Sequence, residues 1–138
     1  MPKKTAEEEV TTHPKPPLRQ LIRICVAAWL VPGFGHLLQK RKGRALVLFF
    51  SILAMFLLGL AMEGQFYSLN SPSYLQRLGY LGELCVGIPM AAAKFFGYSG
   101  GDPFFVSSDF GTAFLVAAGM LNVLSVLDAF DIAMGRKP

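Results

Sequence analysis

Few side chains in this sequence could do chemistry, and those few sit against long apolar runs. His36 ends the motif Pro32-Gly33-Phe34-Gly35-His36, Glu83 interrupts the third of four apolar segments, and Asp128 and Asp131 close the fourth. An imidazole near carboxylates can relay protons, cap loosened backbone or ligate a metal. Ionisable groups inside a membrane are functional candidates by default. A lone histidine with no second His or Cys beside it makes a poor metal site, so neither metal nor cofactor is expected. Lys40 and Arg41 follow His36 closely. Hydration costs little there, so a structural or interfacial role near lipid headgroups is expected, with Asp128 or Asp131 as partners across helices. Glu83 needs a partner if its segment lies within a bilayer. No Ser-His-Asp motif, dinucleotide fingerprint or haem attachment sequence is present. Ser99-Gly100-Gly101-Asp102-Pro103 reads as a turn, because no lysine follows it and no strand precedes it. Cys25 and Cys85 lack CxxC spacing and read as reduced, buried small hydrophobes.

The elements that must carry these groups are apolar helices. Hydrophobic residues make up 53% of the 138-residue chain and charged residues only 16%. A soluble domain this small needs more polar surface to cover itself. Residues 1–17, with an acidic triplet and three prolines near the end, read as a disordered tail. Residues 18–138 read as one helical membrane domain with four apolar segments. The surest is 45–62, charge-free and about 27 Å long as a helix at about 1.5 Å per residue, close to the thickness of a hydrocarbon core. Its insertion is favoured by on the order of 5 kcal/mol.

The segment 18–38 is short, and Pro32 with Gly33 should kink or end a helix near Val31. In 78–96, Glu83, three glycines and Pro89 weaken the apolar run. The last segment, 110–132, carries Gly111, Ala118, Asn122 and Ser125 on one narrow face. A stripe of small residues lets helix backbones approach closely. The expected fold is therefore all-α, an integral membrane protein with two full and two short or broken helical segments.

Orientation follows from Lys and Arg placement. Lys40, Arg41, Lys42 and Arg44 form a basic linker around Gly43, read as a turn residue. If the first and third segments are re-entrant, the tail, linker and C-terminus share one face, leaving only Arg77 and Lys94 opposite. Four full crossings divide the basic residues almost evenly. The first arrangement obeys the positive-inside pattern better, which puts both termini and the linker on the cytoplasmic side of the cell (inner) membrane. The number of complete crossings stays between two and four. The same basic residues would meet anionic headgroups; their clustering beside apolar runs argues against nucleic acid.

The Pro32–His36 motif, the basic linker with Gly43, and the terminal Asp128-Ala129-Phe130-Asp131 resemble small multi-span bacterial proteins of unknown function. Their hairpin is similar to that of the "TM-two" family, in which two membrane helices flank a short turn carrying Gly and His. Gly35 and His36 match that turn. Leu37 and Leu38 stand where that family has an aromatic pair, and Lys40 where it has glycine. The resemblance implies a helical membrane hairpin and brings no activity. Three functions stay open: a membrane scaffold or accessory subunit packing against itself or a larger complex, an oligomeric transporter or channel component, and a lipid-acting enzyme using His36.

Overall fold

The computed structural model describes residues 14 and 16–137, and the expected disordered tail lies almost wholly outside them. Pro17 opens the first helix, α1 (Leu18–Leu30), its carbonyl accepting from Gln20 and Leu21. The helix stops at Val31, extended at φ −123°, because the residue before a proline is driven out of the helical region. Gly33 then takes φ +79° and starts a short return, α2 (Phe34–Leu38). A turn follows, with Lys40 at φ +61° and Arg41 N–H donating to His36 O at 2.9 Å.

The long helix α3 (Lys42–Ala61) begins inside the basic stretch, so Gly43 sits in its first turn with nothing around it. The turn expected at Gly43 is made by Lys40 instead. After an irregular stretch come α4 (Tyr74–Leu84) and α5 (Ile88–Phe95), separated by Gly87 at φ +84°. The last helix is α6 (Ser108–Ala133).

The pair α3 and α6 forms the spine, running in opposite directions. At one end, Ser107 Oγ donates to Met62 O at 3.2 Å, and Gly111 lies against Gly59 and Gly64. At the other end, Leu48 of α3 shares a cleft with Asp128, Asp131 and Lys137.

Two hairpins fill the sides. α1 and α2 enter from the Lys42 end and fold back, with Gly35 pressed between Ala28 and Ala129. Ile24, Ala28 and Ala129 form the core there. α4 and α5 enter from the opposite end and also fold back. Val86, Met90 and Ala93 pack with Ile52, Phe56, Leu115 and Ala118 in the larger core cluster. The hairpin tips touch: a Cβ on Gly87 would overlap the carbonyl oxygens of Trp29 and Leu30. Gly87 is required twice over, by its backbone angle and by this contact.

Among the described residues two helices, α3 and α6, are long and apolar enough to cross a membrane. Only 22% and 39% of their most apolar windows are buried, whereas a core helix of a soluble fold would be mostly covered. Leu46, Val47, Phe50, Leu57 and Leu58 of α3 face outward.

Candidate functional site

The polar side chains of the interior lie on or against α6 at three levels, with His36 supplied by α2 and Glu83 by α4. At the Lys42 end, Gly35 lets α2 press onto α1 and α6, and this wholly buries His36. His36 Nε2 lies 2.9 Å from Asp128 Oδ2, and Lys137 Nζ donates to Asp128 Oδ1 at 2.7 Å. That hydrogen bond holds the Lys137 ammonium above the usual lysine range. With its proton on Nε2, the imidazole donates to the carboxylate and Nδ1 has no partner among the described residues. Gln39 caps this level, donating to Gly35 O at 3.2 Å and Ala129 O at 2.9 Å. Asp131 is not part of it and pairs with Arg136 at 3.4 Å on the surface. The hydrated histidine expected beside Lys40 is therefore a buried one, because close packing of α2 on α1 and α6 at Gly35 covers it.

The middle level is Asn122. Its Nδ2 donates to Cys85 O at 2.8 Å and Trp29 O at 3.0 Å, with Val86 O at 3.4 Å. These carbonyls belong to the C-terminal ends of α1 and α4, which helix geometry leaves unpaired. One amide thus ties both interrupted helices to α6. Asn122 Oδ1 and, one turn on, Ser125 Oγ are buried without a partner among the described residues.

At the far end, Glu83 is 1% exposed. Its Oε2 accepts from Tyr67 N–H at 3.1 Å, and Oε1 is unpartnered among the described residues. Gln65 N–H donates to Thr112 Oγ1 at 2.8 Å, and Gln65 Nε2 donates to Gly101 O at 2.6 Å. The Tyr98 hydroxyl donates to Gly64 O at 2.8 Å. Burial, with the Glu63 carboxylate nearby, pushes the Tyr98 phenol up, so it stays a donor.

The structure brings His36 together with Asp128 and separates both from Glu83, which lies beyond Asn122. Pro32, Gly33 and Gly35 shape the first hairpin, while Lys42 and Arg44 lie in the opening turns of α3. Gly111, Ala118, Asn122 and Ser125 are all buried within the chain's own fold. Gln65 and Tyr98 carried no sequence signal beyond lying in polar, aromatic loops. Among the described residues no group of three His, Cys, Asp or Glu side chains could hold a metal ion. Cys25 and Cys85 are free and half-buried.

Among the described residues the fold is all-helical, with two long apolar helices and two folded-back hairpins. Residues 23–138 match the model of a family of unknown function, DUF6677, and the chain belongs to that family. Comparisons with curated proteins and with solved structures returned no match.

Proposed function

We propose that this is an integral membrane protein of the bacterial inner membrane, acting as a scaffold or accessory subunit. In this reading α3 and α6 cross the bilayer, and the two hairpins enter from opposite faces and stop near its middle. The outward aliphatic faces of α3 and α6 support lipid contact. The basic residues Lys40, Arg41, Lys42 and Arg44, with both termini, face the cytoplasm and meet anionic headgroups. The likeness of the Pro32–His36 hairpin to the TM-two family points the same way.

The observation that carries the scaffold role is the tie made by Asn122. Interrupted helices within lipid need their freed carbonyls satisfied, by protein or by a water-filled path. Here the chain's own amide satisfies them, so the breaks give shape instead of holding a ligand. Self-association or docking to a larger complex then uses the outward faces, since the small-residue stripe of α6 is consumed internally. A lipid-acting enzyme would need an accessible imidazole, and His36 is wholly buried.

One observation favours a second reading, a proton- or ion-conducting subunit. Buried atoms without partners among the described residues (His36 Nδ1, Ser125 Oγ, Asn122 Oδ1, Glu83 Oε1, Ser108 Oγ) recur on α6 and on the helices packed against it, and such atoms commonly bind water. Reconstitution in vesicles with affinity isolation in mild detergent separates the two. The scaffold reading expects a stoichiometric partner or second copy that survives Glu83→Gln, with proton flux at the level of protein-free vesicles. Flux abolished by Glu83→Gln would reject it.

A further inference from the structure

The face of the molecule bearing Tyr67 and Tyr98 holds a cleft of about 700 Å³, walled by Phe66, Tyr67, Tyr80 and Tyr98. Among the described residues Lys94 is the one charged side chain lining it. The ammonium stands 5.6 Å from the Phe66 ring centre and 5.5 Å from that of Tyr80. Ring faces at that range hold a cation in place without cancelling its charge. Among the described residues no carboxylate lies within ion-pair distance of Lys94. Glu83 lies outside the lining, turned to Tyr67 N–H. The rim adds hydrogen-bonding capacity that the fold does not use: the side chains of Asn70, Tyr80 and Ser99 have no partner among the described residues.

An ammonium held between two rings, with no ion-pair partner among the described residues, attracts an anion, and lysine binds phosphate as a point charge. Amide and hydroxyl groups around it match the hydroxyls of a small polyol. The volume falls in the range of about 300–1,000 Å³ typical of ligand sites. We propose that this cleft binds a single phosphate carried on a small polyhydroxyl group, with Lys94 as its charge partner. Glycerol phosphate in solution and the headgroup of phosphatidylglycerol present the same chemistry. Only the lipid source requires the membrane reading, so failure of that reading leaves the soluble arm standing.

The test uses the full chain in a non-ionic polyoxyethylene detergent, probed with glycerol phosphate by phosphorus NMR line broadening. In parallel, native mass spectrometry reads phosphatidylglycerol retained from nanodiscs that also contain phosphatidylcholine. Lys94→Gln is expected to weaken binding about tenfold or more. Lys94→Arg should keep it, and Arg77→Gln, a cation on the same side of the bundle but outside the cleft lining, should leave it unchanged. Lys94-dependent binding of glycerol phosphate supports the proposal with a soluble ligand; dependence confined to phosphatidylglycerol supports it with a lipid one. Binding that is absent with both probes, unchanged by Lys94→Gln, or equally lost in Arg77→Gln overturns it.

Discussion

Asn122 and Ser125 are one turn apart on α6 and equally buried, yet they do different work. The Asn122 amide holds three backbone carbonyls from two other helices. Ser125 Oγ holds nothing among the described residues. Removing a donor from buried acceptors costs the desolvation of each one left behind, softened in lipid because the unfolded reference also finds partners. Asn122→Leu should therefore lower stability by about 1–2 kcal/mol, read from the unfolding midpoint in SDS titration. Ser125→Ala should stay within about 0.5 kcal/mol. Equal losses would mean that the amide is not a tie. From sequence alone, Asn122 was visible only as part of a small-residue stripe. Its partners are main-chain oxygens on distant segments, and side-chain identity does not encode those. The pairing of His36 with Asp128 was legible as one of two choices, because Asp128 and Asp131 are both acidic and only packing selects between them.

At the scale of elements, the breaks matter more than the helices. The end of α1 before Pro32 was legible because proline removes a donor and pushes Val31 out of the helix. The break in the third segment was legible only as weakness, since Gly87 and Pro89 could equally mark a kink. In the structure α4 begins at Tyr74, before the purely apolar run, because Ser73 and Pro72 end the preceding turn.

Gly43 looked like the hinge of the basic linker and is an ordinary helical residue; Lys40 makes the turn. Two glycine substitutions separate these roles. Gly87→Ala should destabilise by about 1–3 kcal/mol or more, since its angle disfavours a side chain and a Cβ would strike Trp29 O. Gly43→Ala, in open space within α3, should stabilise by about 0.5–1 kcal/mol. Thermal unfolding in detergent measures both, and a destabilising Gly43→Ala would place the turn back at that residue. Gly111→Leu should separate α3 from α6, because Gly59 and Gly64 lie against it. The expected readout is loss of a single sharp elution peak; an unaltered profile would contradict that packing.

For the whole molecule, composition and the distribution of Lys and Arg told most of what the fold expresses. An apolar surface on two long helices is intelligible against lipid. Among the described residues the basic side chains other than Arg77 and Lys94 gather at the end where α1 begins, α3 begins and α6 finishes. What composition could not supply is that both hairpins fold back and meet in the interior, which depends on contacts between segments far apart in the chain.

The membrane account is tested most directly by single-cysteine labelling of intact cells with an impermeant thiol reagent, after replacing Cys25 and Cys85 with serine. Two crossings with a cytoplasmic basic segment predict labelling of Asn70→Cys and Asp102→Cys and protection of Lys42→Cys until the membrane is opened. Labelling of Lys42→Cys with protection of Asn70→Cys would contradict it, pointing to four crossings if Asp102→Cys is labelled and to an inverted molecule if it is not.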